Sequence, residues 1–184
     1  MSGISAYNIA FKGLALGKTE FEYTIGKPFF EYFDGGIVEE GDVRVKVVLD
    51  KQSNLLTLDF KVKGVAYVAC DRCLETYPEP IKNKAKVYVK YGESSFEEGD
   101  DVIWVDVNES QINVAQMIYD YILLALPIRT VHPEDENGKS QCNPAMIERI
   151  ESLNYFSEET EEEETTDSRW NELKKLLETD KKLK

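Results

Sequence analysis

From Met1 to about Tyr91 apolar residues recur at alternate positions, so this part of the chain reads as β structure. The stretch Leu14 to Ile25 runs into Gly26-Lys27-Pro28, a turn signal. Phe29, Phe30, Tyr32 and Phe33 follow, an aromatic cluster that reads as core filling. Val43, Val45 and Val47 then face one way, and Arg44 and Lys46 the other. Leu56, Leu58, Phe60 and Val62 alternate with Thr57, Asp59, Lys61 and Lys63. The polar run Asp50 to Asn54 separates these two segments and predicts a hairpin. After Gly64, Val65 to Ala69 leads straight into Cys70. A further strand has Ala85, Val87, Val89 and Tyr91 alternating with Lys84, Lys86, Tyr88 and Lys90.

The period changes after an acidic loop, Glu93 to Asp101, and a short strand, Val102 to Val107. Val114, Met117, Ile118, Tyr121, Ile122 and Ala125 recur at helical spacing, with Asn113, Gln116 and Asp120 opposite. Asn108 with Gln111 reads as a capping box, and Pro127 closes the helix. Residues 128–156 read as a polar connection carrying His132 and Cys142. The expected fold is α+β: an antiparallel twisted sheet or partial β-barrel, with one main helix packed on it. Residues 1–156 would form this single domain. An acidic linker, 157–167, and a short helix, 168–184, would follow.

Composition changes that picture at the tail. The chain has 184 residues, 42% of them hydrophobic and 31% charged, with a formal net charge of −13. Residues 157–167 contain seven acidic residues and no basic one, a block expected to repel itself and stay disordered. The remainder is therefore less acidic than the total suggests. In 168–184, Trp170, Leu173, Leu176 and Leu177 share one side of the expected helix, a candidate docking element for a protein partner. No apolar run approaches the roughly 18–20 residues of a membrane span, and no secretory signal is visible, so a cytoplasmic protein with no membrane partner is expected.

Three cysteines, an odd number, fit reduced thiols better than a disulfide framework. Cys70-Asp71-Arg72-Cys73 places two thiols at a spacing that grips one tetrahedral metal. Such a pair needs two more ligands, and the single histidine, His132, with the remaining cysteine, Cys142, completes a Cys3His set for a structural Zn2+. The alternative is free thiols at a strand end and a surface histidine. Against metal binding, His132 and Cys142 stand ten positions apart, longer than in common zinc fingers. A dithiol redox site is disfavoured, because Glu75-Thr76-Tyr77-Pro78-Glu79-Pro80 cannot start the helix such sites use.

The segment Cys70-Asp71-Arg72-Cys73-Leu74 resembles the C-x-R-C-L motif of the YceD family. Ile122 to Ile128, then Val131-His132-Pro133 and Cys142, resembles that family's second motif, and Asp167-Ser168-Arg169-Trp170 through Leu176 resembles its closing segment. The likeness covers roughly residues 40–178. It implies a non-catalytic role in accumulation or processing of 23S ribosomal RNA and in large-subunit assembly. Partners would then be 23S rRNA or a precursor large subunit, and a ribosomal protein, with no small-molecule substrate.

The strand pattern offers a physical route to RNA. Arg44 and Lys46, Lys61 and Lys63, and Lys82, Lys84, Lys86 and Lys90 each project from a single side of their strand. If those sides coincide they form a basic stripe, with Tyr88 available to stack a base and Arg72 to clamp a phosphate. The plain alternative is a solvated outer face, where lysine also discourages edge pairing. Catalysis finds no motif: there is no G-x-S-x-G elbow and no phosphate-cradling glycine loop. A pure protein-interaction module with a structural zinc and no RNA contact is the other reading.

Overall fold

The computed structural model describes residues 3–33, 35–92 and 102–154. The expected linker 157–167 and the expected helix carrying Trp170, Leu173, Leu176 and Leu177 lie outside the described residues. Two units are distinguished, with the boundary between Asn143 and Pro144.

The first unit is α+β. Its strands are β1 (Asn8–Ile9), β2 (Gly17–Ile25), β3 (Glu40–Lys51), β4 (Leu55–Ala69), β5 (Thr76–Tyr91), β6 (Val102–Val105) and β7 (Ile112–Asn113). A single helical turn, α1 (Lys27–Phe30), follows β2, and the main helix is α2 (Ala115–Leu123). The large sheet runs β2-β3-β4-β5-β6, while β1 pairs separately with β7. β2 to β5 form an antiparallel meander. The sheet is open and does not close into a barrel. Nor is it wholly antiparallel: Tyr88 pairs with Val102 and Tyr91 with Val105, which sets β6 parallel to β5.

β4 and β5 are far longer than their alternating cores. Gly64 does not interrupt β4; it lets β3 approach, since a Cβ there would overlap the Asp42 carbonyl oxygen and the Val43 Cα. Pro78 and Pro80 sit inside β5, opposite Tyr67 and Val65. A strand tolerates prolines where no N–H is needed, and β6 flanks β5 only at Tyr88 to Tyr91.

Period two buries one face. Val43, Val45, Val47 and Leu49 of β3, Leu56, Leu58, Phe60, Val62, Ala66 and Val68 of β4, and Tyr77, Ile81, Val87 and Val89 of β5 are all buried. Each large aliphatic side chain taken from water there contributes about 1.5–3 kcal/mol. α2 covers this face: Tyr121 meets Phe60 at 5.0 Å between ring centres, and the Asn83 side-chain amide donates to the Tyr121 carbonyl at 3.0 Å. The expected aromatic cluster is core, with Phe29 and Phe30 buried and Phe33 stacked on Tyr119 of α2 at 4.1 Å. Lys51 ties down the N-terminal segment by donating to the carbonyls of Phe11, Lys12 and Leu14 at 3.0, 3.2 and 2.7 Å.

The capping box does not form. Asn108 lies in a turn where its N–H donates to the Asp106 carboxylate, and α2 begins only at Ala115, whose N–H donates to the Asn113 side chain at 2.9 Å. The residue at the helix start is Val114, whose side chain makes no capping hydrogen bond, so neither member of the expected pair caps α2. The second unit's described element is α3 (Pro144–Asn154), where the sequence suggested only a connection. Asn143-Pro144 is a helix-start pair, with proline in the first turn, but the helix is too polar to show a strong stripe.

Candidate metal centre and basic sheet face

The CxxC segment is the tip of the long β4–β5 hairpin, whose last pair is Ala69 with Thr76. Inward-facing residues of β4 are the even-numbered ones, so Cys70 continues the row of Ala66 and Val68 into the interior. The tip is tightly wound: Cys70 N–H donates to the Glu75 carbonyl at 2.9 Å and Leu74 N–H to the Cys70 carbonyl at 2.8 Å. Arg72 N–H points at the Cys70 sulfur, 3.4 Å away. Leu74 closes the turn at φ 62°, a left-handed conformation unusual for leucine, and its side chain is 72% exposed. Cys70 and Cys73 are buried, while Asp71 and Arg72 are exposed.

The partner ligands arrive from the segment after α2. Asp71 N–H donates to the Thr130 carbonyl and Thr130 N–H to the Asp71 carboxylate, both at 2.7 Å, and the Thr130 hydroxyl donates to the Ala69 carbonyl at 3.1 Å. This clasp delivers His132. Beyond it the chain folds back on itself. Glu134 bridges antiparallel to Ser140, around a turn in which Asp135 accepts the N–H groups of Asn137 and Lys139 and Gly138 takes φ 75°. One step outward the Gln141 N–H donates to the Pro133 carbonyl at 3.3 Å, and His132 and Cys142 follow on the two arms. The ten-residue spacing that counted against a site is a miniature hairpin; its turn signal, Asp135-Glu136-Asn137-Gly138, was present in the sequence.

All four side chains meet, with their ligand atoms within 4.8 Å of one another. Cys70 Sγ lies 3.7 Å from Cys142 Sγ, and Cys73 Sγ lies 3.4 Å from His132 Nδ1. Bonds of about 2.3 Å to sulfur and about 2.0–2.1 Å to nitrogen give tetrahedral edges of about 3.8 Å (S–S) and about 3.6 Å (S–N). The observed separations match those edges, and 3.7 Å is too long for a disulfide. Burial raises the Cys70 thiol, but hydrogen bonds from the backbone N–H groups of Cys73, Arg72 and His132 and from the His132 side chain outweigh it and lower the pKa to about 6. Cys142 is shifted upward: the Ser140 hydroxyl favours its thiolate, but burial and the neighbouring Cys70 and Cys73 prevail. Tyr77 flanks the cluster, 4.7 Å from the His132 ring. Burial, then the Glu79 carboxylate nearby, raises its phenol. The donor set, three buried sulfurs and the imidazole nitrogen of the half-buried His132, is compatible with a structural zinc site.

The opposite sheet face carries the lysines. Register aligns Arg44 with Lys63 and Lys63 with Lys82, and aligns Lys46 with Lys61 and Lys61 with Lys84. The three strand sets therefore project from one face, as two adjacent rows of three cations. Arg44, Lys61, Lys63, Lys82 and Lys84 are exposed. Lys46 is paired with Glu20 at 2.6 Å and Glu22 at 3.9 Å, and Lys86 with Asp59 at 3.3 Å. Those two are the least available members of the set. Tyr88, 38% exposed, lies further along the face opposite Thr57. Lys90 sits over the Trp104 ring at 5.7 Å, a neighbour that the sequence reading missed because β6 was not expected beside β5. Arg72 belongs to the knuckle rather than to the rows.

Among the described residues no helix is long and apolar enough to cross a membrane. No solved structure matches the chain. A curated relative, the "Uncharacterized protein YlbN" of Bacillus subtilis (strain 168), is 27% identical over 161 residues, 88% of this chain and 89% of the relative. The family model described as "Large ribosomal RNA subunit accumulation protein YceD" matches residues 58–177, a span holding most of β4, the cysteine knuckle, β5, α2 and the segment from His132 to Cys142. On that match the chain belongs to the YceD family.

Proposed function

We propose that the chain is a non-enzymatic factor for large ribosomal subunit assembly that contacts 23S rRNA through the outer face of its sheet and holds a structural zinc at Cys70, Cys73, His132 and Cys142. The family's description supplies the ribosomal context. The observation that carries the RNA contact is the register. Like charges directly opposite one another destabilise a sheet, yet Arg44–Lys63–Lys82 and Lys46–Lys61–Lys84 stack cations three deep. The acids of β2 on this side, Glu20 and Glu22, stand beside Lys46 at one edge and do not separate the two rows. Phosphates neutralise such rows. Lys86, Lys90 and Tyr88 extend the face, and Arg72 adds a guanidinium at the knuckle.

In this reading the zinc shapes the molecule and takes no part in chemistry, since four protein ligands leave no open position for substrate. A second reading, a protein-interaction module with the same zinc and no RNA contact, is favoured by exposed Leu74, Leu124 and Ile128, apolar groups of the kind a ribosomal protein could cover. Ultraviolet cross-linking in growing cells separates the two. Cross-links to large-subunit RNA at peptides of β3 to β5 are expected; cross-links to protein alone would overturn the RNA contact.

A further inference from the structure

The geometry points to a second docking surface: the end of the outer sheet face nearest the cysteine knuckle takes an arginine-rich segment of a partner protein, a contact separate from the RNA rows. β2 stops pairing at Val43, so Glu40 to Asp42 of β3 have β4 as their one strand neighbour among the described residues. A groove of about 600 Å3 opens there, lined among others by Lys27, Ile37, Glu39, Glu40 and Tyr67. Register sets Glu40, Tyr67 and Pro78 in one outward row and Asp42, Val65 and Pro80 in the next. The row after that is Arg44, Lys63 and Lys82. The face therefore changes sign within one step of about 6.7 Å along the strands.

Two features of this end call for a partner. Its floor is apolar: Ile37 is 74% exposed and Tyr67 42%, and Pro78 and Pro80 of the same rows are exposed too. Its acids are available. Glu39 and Asp42 make no ion pair among the described residues, and Glu40 has only Lys27, 3.9 Å away, with both side chains largely in solvent. Three carboxylates face one ammonium, so this end attracts cations and repels phosphate. A neutral apolar partner would strip water from Glu39 and Glu40 without replacing it. Arginine answers both features, because its guanidinium forks onto carboxylates and its flat face lies on an aromatic ring. A segment with several arginines spaced by apolar residues pairs the acids and covers Ile37 and Tyr67.

Fluorescence anisotropy of the full chain with a labelled peptide of about twelve residues, its arginines spaced by leucine and glycine, tests this. The same peptide with citrulline for arginine should bind at least about tenfold more weakly. Glu39→Gln, Glu40→Gln and Asp42→Asn together should weaken the arginine peptide by about tenfold or more, and Ile37→Ser with Tyr67→Ser by about fivefold. All five side chains are exposed, so melting temperatures should stay close to the parent's. Glu159→Gln, Glu161→Gln and Glu162→Gln, in the acidic run of the sequence, should change affinity less than about twofold. Equal weakening by the two sets of acid substitutions overturns the proposal, because net charge alone would then hold the peptide. Undiminished binding of the citrulline peptide overturns it too, as does spermidine displacing the label as well as unlabelled peptide does, which would make the ligand a small polycation. Sedimentation should show parent and variants alike; a parent dimer that the groove substitutions dissolve assigns the groove to a second copy instead. None of these variants touches Lys61, Lys63, Lys82 or Lys84, so the RNA contact stands or falls separately.

Discussion

Removing zinc should destabilise the first unit by an amount that can be worked from its geometry. Two of the six ligand–ligand separations already match tetrahedral edges, 3.7 Å for Cys70–Cys142 and 3.4 Å for Cys73–His132, and all four atoms lie within 4.8 Å of one another, so a modest contraction suffices for binding. Two of the side chains come from the hairpin tip and two from a segment about sixty residues later, so an ion held there would cross-link distant parts of the chain. With free zinc at a thousandfold excess over its dissociation constant, a ligand that binds only the folded state adds about 4 kcal/mol. For a chain of this size each kcal/mol moves the melting temperature by about 2–4 °C, so chelation should lower it by about 8–16 °C. Differential scanning calorimetry before and after chelation, with metal analysis of protein purified without chelator, provides the assay. About one equivalent of zinc is expected, and Cys73→Ser should retain little of it and melt near the chelated protein. An unchanged melting temperature on chelation, or a Cys73→Ser variant that keeps its full zinc, would refute the reasoning.

Other consequences are local. Gly64→Ala should cost about 1–3 kcal/mol, the range for overpacking, because the new methyl meets β3 backbone; denaturant melts check it. Leu74→Gly should be neutral or stabilising by up to about 1 kcal/mol, because the left-handed φ is relieved and the exposed side chain buries little; a clear loss of stability would mean that Leu74 packs in a way its exposure does not show. Lys51→Met should cost about 1.5–3 kcal/mol through three carbonyls left without their charged donor, and hydrogen exchange should rise first in the segment around Phe11 to Leu14.

Much of this was legible from period alone. The alternation in β3, β4 and β5 gave the buried face and the outward lysines, and the change to helical spacing gave α2. The meeting of the four side chains was legible by elimination, since a lone histidine and an unpaired cysteine were all that remained to complete the CxxC. What was not legible lies in pairing. Nothing in Val102 to Val105 says which strand it will join or in which direction, so the Lys90–Trp104 contact could not be foreseen. Residues 75–80 were legible only as unable to start a helix, because the tolerance of Pro78 and Pro80 in a strand depends on which neighbour is absent. The coincidence of the three basic rows needed the register as well, for period fixes each strand's sides but not how one strand slides along the next.

That register also predicts how far the two sites depend on each other. The hairpin tip and the basic rows share β4 and β5, yet Lys63 and Lys82 lie six pairs from the closing pair Ala69–Thr76, roughly 20 Å along the strands. Between them Ala66, Val68, Tyr77 and Ile81 are buried on the inner face, and a slip of one residue would turn them out to solvent. The core therefore holds the lysine rows in register whether or not the tip is closed. Chelation of zinc should disturb RNA binding only through Arg72, whose position depends on the knuckle. Measured well below the lowered melting temperature, the slope of log affinity for RNA against log salt should fall by no more than about 1 on chelation, the worth of a single phosphate contact, against about 3–4 when Lys61, Lys63, Lys82 and Lys84 are all replaced by Gln. A chelated protein that is still folded but has lost the whole slope would show the opposite: that the metal, and not the buried face, holds the lysine rows in place.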